Sequence, residues 1–470
     1  MKQYDILSDK AQDFINPQRI EQTLSSAALK AQDQSYLKSV LSKAAQMNGL
    51  TTEQATALLL NQDEEITQEI FSLAAKVKAA YYGNRIVLFA PLYLSNYCVN
   101  HCLYCPYHQQ NKHIERHKMS QEEIKAEVIA LQDMGHKRLA LELGEDEQNN
   151  PLEYVLESID TIYGIHHKAG AIRRVNVNIA ATTIENYKRL LKAKIGTYIL
   201  FQETYNKASY ERLHQQGPKA DYAYHTEAMD RAMQAGIEDV GLGVLFGLNS
   251  YAYEFAALLD HAAHLEKCYG AGPHTISVPR LRNADGINAK SYKNALPDDI
   301  FLKIIALLRL SVPYTGLIIS TREPEAIRLK ALELGISQIS GGSKTSVGGY
   351  AKKEAPQNAQ FEVADHRTLD EVVGWLMENG HIPSFCTACY GKGRQGEDFM
   401  EICKKRQIHN FCTPNALLTL AEYLNNYASP QVKAIGKAMF AKELSQMSKA
   451  KQALLTKRLN KAEAGTVEFL

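Results

Sequence analysis

Six of the eight cysteines in this chain fall into two short groups. The first group is Cys98, Cys102 and Cys105, which are separated by three and then two residues. Three thiolates on one loop can hold three irons of a [4Fe–4S] cubane. A structural zinc site and a closed electron-transfer cluster both take four ligands. The spacing therefore predicts a cluster with one open iron, which a substrate or cofactor can complete.

A second cysteine group lies near the C-terminus. Cys386 and Cys389 form a C-x2-C pair, and Cys412 follows after 22 residues. Cys403 and His409 lie between them. A C-x2-C pair is a usual half of a zinc site, so the spacing alone allows a zinc knot of three or four ligands. The spacing leaves open whether Cys403 or His409 binds the metal.

The elements that must position these cysteines begin near residue 85. Short apolar segments alternate with amphipathic ones, which predicts parallel strands joined by helices. The predicted strands are 86–93, 138–143, 175–180, 197–203, 240–246, 275–279, 317–320 and 337–340. The predicted helices between them include 121–134, 151–168, 183–192, 222–235 and 324–334. Eight such units in about 260 residues favour an α/β fold of the closed (β/α)8 TIM type over an open doubly wound sheet. The active site of such a barrel lies at the C-terminal ends of its strands, where the first cysteine group should then be found.

The same pattern divides the chain into three parts. Residues 1–83 are predicted to form a helical N-terminal extension, residues 84–349 the barrel, and residues 350–470 a mainly helical C-terminal domain that carries the second cysteine group. Helices outside the barrel are predicted at 34–47, 51–60, 68–81, 370–379 and 439–454.

Composition excludes several classes of protein. The chain has 470 residues, of which 45% are hydrophobic and 22% charged, as in an ordinary globular protein. There are 53 basic and 52 acidic residues, so no strong field of either sign exists to attract nucleic acid. Residues 1–20 lack the apolar segment of a signal peptide, and no apolar run is long enough to cross a bilayer. We therefore expect a cytoplasmic protein without a nucleic acid or membrane partner.

The first cysteine loop resembles that of the radical S-adenosylmethionine (SAM) superfamily. It shares the C-x3-C-x2-C spacing and an aromatic residue, Tyr104, before the last cysteine. The resemblance implies that Cys98, Cys102 and Cys105 hold a [4Fe–4S] cluster. It also implies that the open iron binds SAM and that a 5′-deoxyadenosyl radical is released.

Two further segments resemble SAM-binding segments of the superfamily. Residues 143–146, Leu-Gly-Glu-Asp, are similar to its Gly-Gly-Glu segment, with a leucine in place of the first glycine. The resemblance implies that Gly144, Glu145 and Asp146 contact the methionine part of SAM. Glu203, at the end of the fourth predicted strand, would contact the ribose.

From about residue 84 to residue 414, the chain resembles the tyrosine lyases of [FeFe]-hydrogenase maturation. The C-terminal C-x2-C-x22-C trio and the segment 272–280 carry this likeness. It implies that Cys386, Cys389 and Cys412 hold a second [4Fe–4S] cluster. A non-protein amino acid, for which cysteine is favoured, would bridge that cluster to an additional labile iron. His274 would bind the labile iron.

This resemblance also implies a reaction. The Cα–Cβ bond of L-tyrosine would break to give p-cresol and dehydroglycine, and dehydroglycine would become CO and cyanide on the labile iron. The carboxylate of tyrosine needs a cation, and Arg322 after the seventh strand can bind it bidentately unless Glu323 pairs with Arg322 instead. Ser340, which ends the eighth strand, could supply a hydroxyl. The implied partners are L-tyrosine, a reductant such as ferredoxin or flavodoxin, and other hydrogenase maturases.

Two other functions remain open. A 2-iminoacetate synthase for thiamine thiazole synthesis would share the barrel and the substrate but lacks the C-terminal cysteine trio, which would then be a zinc knot here. A non-catalytic iron–sulfur carrier is the third possibility, but a carrier does not require a barrel with SAM-like contacts. The C-terminal trio therefore favours the maturation enzyme.

Overall fold

The computed structural model describes residues 4–352, 357–391, 401–405 and 408–463. Its central strands are β1 (Arg85–Ser95), β2 (Arg138–Leu143), β5 (Arg174–Asn178), β6 (Tyr198–Ile199), β7 (Val240–Gly243), β8 (Thr275–Ser277), β9 (Gly316–Ile319), β10 (Gln338–Ser340) and β11 (Ile382–Ser384). A separate antiparallel hairpin is formed by β3 (His166–His167) and β4 (Gly170–Ala171). The parallel strands follow the order β10-β9-β8-β7-β6-β5-β2-β1, and β10 pairs with β1 to close the ring. The predicted (β/α)8 barrel is therefore confirmed.

The strand β11 is an addition that the sequence analysis did not predict. It pairs in parallel with the first residues of β1, in the register Arg85 with Ile382 and Val87 with Ser384. Pro383 lacks a backbone N–H, and it is tolerated because β11 is an edge strand. The segment that leads to the second cysteine group is therefore attached to the N-terminal end of the barrel.

Five helices precede the barrel. They are α1 (Ala11–Phe14), α2 (Pro17–Lys30), α3 (Gln34–Ala44), α4 (Thr52–Leu60) and α5 (Glu64–Tyr82). The helix predicted at 51–60 is confirmed, and it begins with a capping box in which Thr51 and Gln54 each bond the backbone of the other. Helix α2 was not among the predicted helices. Its start is nevertheless marked by Asn16, whose side chain accepts a hydrogen bond from the backbone N–H of Arg19.

The helices around the barrel are α6 (Gln121–Met134), α7 (Leu152–Gly164), α8 (Ile184–Lys192), α9 (Lys207–Leu213), α10 (Tyr222–Thr226), α11 (Ala228–Gln234), α12 (Tyr251–Tyr269), α13 (Asp298–Ser311) and α14 (Glu325–Leu334). The single helix predicted at 222–235 is wrong, because the chain breaks at Glu227 into α10 and α11. Helices α12 and α13 were not predicted. The N-terminal helices α4 and α5 pack against α13, which is buried from residue 301 to residue 311 and so lacks a polar face.

The C-terminal part is mainly helical, as predicted. Its helices are α15 (Leu369–Glu378), α16 (Ala388–Gly391), α17 (His409–Asn426), α18 (Pro430–Ser445) and α19 (Lys449–Glu463). One continuous helix at 439–454 was expected, but α18 ends and α19 begins within that range. None of the helices in the described ranges is both long and apolar enough to cross a membrane.

A buried ion pair fixes the segment that follows the barrel. The guanidinium of Arg328 in α14 donates to the carboxylate of Asp365, and it also donates to the carbonyl oxygen of Ser340 at 2.6 Å. Arg367 donates to the same Asp365 carboxylate from Nε at 2.9 Å. The C-terminal end of β10, where Ser340 lies, is therefore held by a charged network.

Candidate active site

The first cysteine group lies on the loop after β1, as predicted. Cys98, Cys102 and Cys105 line a cavity of about 240 Å³ at the C-terminal ends of the barrel strands. The loop is held by backbone hydrogen bonds to the end of α9 and the segment after it, from Leu103 N to Leu213 O at 3.0 Å and from His101 N to Gln216 O at 3.0 Å. The three thiols therefore sit on a fixed loop at the catalytic end of the barrel.

Gly144 packs directly against this loop. A Cβ atom at this position would lie 2.3 Å from the carbonyl oxygen of Tyr97 and 2.8 Å from the Cβ of Cys98. No side chain fits there, so a glycine is required for the end of β2 to approach the cysteine loop. The position is compatible with the predicted contact between residues 144–146 and a cofactor bound at the cysteines.

Glu145 and Asp146 are placed differently. The Glu145 carboxylate lines the cavity and accepts a hydrogen bond from the Asn100 side chain at 2.6 Å, and burial raises its pKa. The Asp146 carboxylate accepts from the backbone N–H groups of Gln148 and Asn149 in its own turn, at 3.1 and 2.9 Å. The structure thus directs Glu145 toward the cavity and uses Asp146 to form the turn that follows it.

Glu203 also lines the cavity, beside a lysine that the sequence analysis missed. Its carboxylate pairs with Lys219 Nζ at 2.9 Å. Burial alone would lower the pKa of Lys219, but the charge of Glu203 raises it above its ordinary value. Glu203 has a left-handed backbone with φ of 66°, which is strained for a residue with a side chain. The residue is therefore held in place against a local conformational cost.

Tyr104 lines the same cavity, but its hydroxyl points to a neighbour. The hydroxyl lies 2.7 Å from His214 Nε2, and His214 Nδ1 lies 2.8 Å from the Tyr210 carbonyl oxygen. Because a carbonyl can only accept, Nδ1 carries the proton and Nε2 accepts from Tyr104. The ring face of Tyr104, rather than its hydroxyl, is thus left for a cofactor.

Arg322 does not pair with Glu323, the acidic residue next to it in the chain. The neighbouring Glu323 binds two other arginines, Arg280 through Nε at 3.1 Å and Arg282 at 2.6 Å. Within the described ranges, no acidic side chain lies within 4 Å of the Arg322 guanidinium. The guanidinium lines the cavity, and its central carbon lies 3.5 Å from the centre of the Phe361 ring. The arrangement leaves Arg322 available for an anionic group.

Ser340 and several residues that were not predicted complete the cavity. The Ser340 hydroxyl oxygen accepts a hydrogen bond from Thr321 N at 3.2 Å and lines the cavity. Glu142, at the C-terminal end of β2, accepts from the Asn178 side chain at 2.7 Å, and burial raises its pKa to about 8. The only signal of Glu142 in the sequence is its position near the end of a predicted barrel strand.

The second cysteine group lies at the opposite end of the barrel. Cys386, Cys389 and Cys412 line a pocket of about 60 Å³ together with His274, which directly precedes β8. Arg85 and Arg138, the first residues of β1 and β2, line the same pocket. The trio and the predicted imidazole ligand are therefore brought together, although the chain separates His274 from the cysteines by more than a hundred residues.

The surroundings of this pocket are strongly basic. Arg85, Arg138 and Arg174 are buried there, and Asp239 lies 3.6 Å from Arg174 and 3.3 Å from His274 Nδ1. Burial lowers the pKa of His274 to about 4, despite the nearby Asp239, so the imidazole is neutral and able to bind a metal. Burial also raises the pKa of the Cys386 thiol to about 11. The buried guanidinium groups suit a ligand set that carries negative charge.

Cys403 and His409 are the two alternative ligands that the sequence left open. Cys403 is buried in the hydrophobic core, and it is not among the residues that line the pocket. The side chain of His409 lies outside the described residues. The structure therefore groups the predicted trio without Cys403.

The number of thiols in each trio bears on the kind of metal group. A structural zinc site takes four ligands around one ion, whereas three thiolates can hold three irons of a cubane and leave the fourth iron open. Each trio has the number of thiols that such a cubane would need.

Comparisons with known proteins agree with this geometry. The model of the Radical SAM superfamily matches residues 92–262, and that of the Biotin and Thiamin Synthesis associated domain matches residues 277–382. A crystal structure of HydG, a maturase of the [FeFe]-hydrogenase, is 49% identical, with 97% of this chain and 100% of that chain covered and a TM-score of 0.93. HydG from Carboxydothermus hydrogenoformans is 37% identical, with coverage of 96% and 99% and a TM-score of 0.83. The 2-iminoacetate synthase of Salmonella typhimurium is 29% identical over 335 residues, which are 71% of this chain and 86% of that protein.

The barrel, the cysteine loop at its catalytic end and the superfamily match define a radical SAM enzyme, which binds a [4Fe–4S] cluster and SAM. The match to HydG extends over nearly the whole chain, including the C-terminal part. The chain therefore belongs to the HydG family of [FeFe]-hydrogenase maturases.

Proposed function

We propose that this maturase cleaves L-tyrosine to p-cresol and dehydroglycine and converts dehydroglycine to CO and cyanide. The observation that carries the proposal is that one barrel has a cysteine trio at each end. The cavity at the C-terminal end is also lined by the Arg322 guanidinium, and the pocket at the N-terminal end is also lined by the His274 imidazole. Strand β1 connects the two ends and spans about 30 Å. Two separate chemical steps on one substrate suit this arrangement.

In the first site, the side chains can hold both a cofactor and an amino acid. Cys98, Cys102 and Cys105 would hold the first cluster, and Gly144 leaves the space that its cofactor needs. When bound, the cluster and SAM supply a 5′-deoxyadenosyl radical that begins the cleavage. Glu145 would accept from the ammonium group of SAM, and Glu203 would accept from its ribose.

The substrate would be held by residues at the ends of later strands. Arg322 would bind the tyrosine carboxylate bidentately, and Ser340 would offer its hydroxyl beside it. Phe361 supports the guanidinium and, with Gln360, lines the cavity from the segment after the barrel. These residues orient the substrate and limit the access of water.

In the second site, Cys386, Cys389 and Cys412 would hold a second [4Fe–4S] cluster, and His274 would bind a labile iron bridged to it by a non-protein cysteine. The buried Arg85 and Arg138 would balance the negative charge of these ligands. The product would be an iron that carries CO and cyanide, which other hydrogenase maturases would use. A ferredoxin or flavodoxin would supply the electron.

The test is an anaerobic assay of the reconstituted protein with SAM, L-tyrosine and dithionite, in which p-cresol, CO and cyanide are measured together. All three products are expected. Failure to form p-cresol, when spectroscopy shows an intact first cluster, would refute the substrate. The Cys98→Ala variant is the control, because it should abolish all three products.

A 2-iminoacetate synthase is the second candidate. The similarity to such a synthase over 71% of the chain favours it. In that case the assay would give p-cresol without CO or cyanide. The placement of His274 beside the C-terminal trio makes the first candidate the better one.

A further inference from the structure

Three carboxyl groups line the main cavity within the described residues: Glu142, Glu145 and Glu203. Glu203 is neutralised by Lys219 at 2.9 Å. Glu145 is held beside the cysteine loop by Asn100, whose side chain donates to it at 2.6 Å. Within the described residues, the third carboxyl, that of Glu142, pairs with no cation, and its hydrogen bond comes from Asn178 and not from the cysteine loop. Its role is not explained by the cofactor.

Strand register and one hydrogen bond fix the position of Glu142. Glu142 and Asn178 are register partners on the adjacent parallel strands β2 and β5, so both side chains lie on the face that points into the barrel. Asn178 Nδ2 donates to Glu142 Oε2 at 2.7 Å. In the described part of the chain, no hydrogen-bond donor reaches Oε1, and no basic group lies within 4 Å of the carboxyl. One oxygen is therefore fixed and the other is open to the cavity.

Arg322 is the complementary group in the same cavity. Its charge acts on Glu142, yet the two do not form an ion pair. An α-amino acid carries a carboxylate and an amino group on one carbon, so the residues that bind them must be close neighbours. In the described part of the chain, Arg322 pairs with no carboxylate and Glu142 pairs with no cation, and both line one cavity. They match the carboxylate and the amino group of an α-amino acid.

We propose that Glu142 accepts a hydrogen bond from the α-amino group of the substrate while Arg322 binds the substrate carboxylate. Together the two residues select a free α-amino acid and orient its nitrogen. The inference rests on the proposed function and assigns the group that recognises the amine of the substrate. It divides the cavity carboxyls by role, with Glu145 for the cofactor amine and Glu142 for the substrate amine.

The test is equilibrium binding to the reconstituted holoprotein with SAM and without reductant. The probes are L-tyrosine, 3-(4-hydroxyphenyl)propanoate, which lacks the amine, and tyramine, which lacks the carboxylate. The wild type should bind L-tyrosine at least tenfold more tightly than the propanoate. In Glu142→Gln this preference should fall to within about threefold, because affinity for L-tyrosine is lost and affinity for the propanoate is retained. In Arg322→Gln, affinity for L-tyrosine and the propanoate should fall together, and affinity for tyramine should be unchanged.

Glu147→Gln is the matched control, because Glu147 is exposed and lies a few residues after Glu142; it should behave as the wild type. Glu142→Asp retains the carboxyl group on a shorter side chain and should recover part of the preference. If Glu142→Gln fails to bind SAM or iron, Glu142→Asp decides the matter. An undiminished preference in whichever of the two variants is read would overturn the inference.

The binding measurement and the product assay together separate the two proposals. If the wild type binds L-tryptophan or L-phenylalanine in place of L-tyrosine, and its preference over the matching des-amino acid still depends on Glu142, the proposed substrate fails and the inference stands. If L-tyrosine binds and the assay with dithionite gives p-cresol, but the binding preference is independent of Glu142, the inference fails and the proposed function stands.

Discussion

The substitution Gly144→Ala tests whether the end of β2 must lie against the cysteine loop. The added Cβ would be 2.3 Å from Tyr97 O and 2.8 Å from Cys98 Cβ, whereas ordinary contacts begin near 3.4 Å. The loop or the strand end must therefore move by about 1 Å, and the obstacle is backbone rather than a flexible side chain. Gly144 is not among the residues with positive φ, so alanine adds a steric conflict and no conformational strain.

The expected effects follow from this displacement. Overpacking should lower the free energy of unfolding by about 1–3 kcal/mol. A shift of about 1 Å in the cofactor relative to the substrate should lower the rate of p-cresol formation by about 100-fold. The EPR signal of the reduced first cluster should also respond less to SAM, because the cofactor space lies beside Gly144.

The assay is anaerobic reconstitution followed by measurement of iron content, of the EPR spectrum with and without SAM, and of p-cresol. The control is Gly164→Ala, at the end of α7, where an added Cβ meets nothing within 4 Å. This variant should keep the wild-type rate, and its free energy of unfolding should be the same as that of the wild type or higher by up to about 1 kcal/mol. A Gly144→Ala protein with the wild-type rate and the wild-type response to SAM would refute the reasoning.

Three further predictions concern other parts of the molecule. Arg322→Gln should lower kcat/KM for L-tyrosine by about 10- to 100-fold, because a charge-assisted bidentate contact is lost. Iron content and SAM binding should be unchanged, and an unaltered kcat/KM would contradict the role of Arg322. The double replacement Cys386→Ala and Cys389→Ala should largely spare p-cresol formation and abolish CO formation, because the two sites lie at opposite ends of the barrel. Both products are measured in one vessel, and a normal yield of CO would exclude a role for these cysteines in CO formation. Asp365→Asn should lower the free energy of unfolding at pH 7 by about 2 kcal/mol in urea denaturation. Burial alone would raise the pKa of Asp365, but Arg367 and Arg328 hold this pKa at about 2. The contribution of the Asp365 carboxylate to the free energy of unfolding is therefore present above pH 4 and is lost as the pH falls toward 2. If the stability difference between the wild type and Asp365→Asn grew below pH 4, the sign of this reasoning would be wrong.

The barrel was predictable because its strands and several of its helices carry local signals. Helices α6, α8 and α14 have capping residues or proline at their starts and a polar outer face, and they were found within one residue of their bounds. Helices α12 and α13 were missed because other helices cover their outer sides, so they lack the polar face that marks an amphipathic helix. Strand β11 was missed because three residues that contain a proline give no strand signal.

The candidate sites show the same division. The three cysteines of the first loop could be selected from the sequence because their predicted chemistry depends on residue type and short spacing. The spacing of the second group left open whether Cys403 or His409 also binds the metal. Lys219, Asn178 and Glu142 could not be selected in this way, since a lysine or a glutamate on a loop or strand end is usually solvated. Their roles became visible only when the structure placed them around one cavity.

The sequence by itself determined the fold class and the class of cofactor chemistry, because these depend on periodicity and on the spacing of the first cysteine group. Only the tertiary structure decided that the two cysteine groups occupy opposite ends of one barrel and that His274 lines the same pocket as the second group. Only the tertiary structure decided that Glu323 pairs with Arg280 and Arg282 and not with Arg322. The physical reason is that parallel strands bring residues from distant parts of the chain to a common end. Which residues meet there is set by strand order and register, and neither leaves a local mark in the sequence.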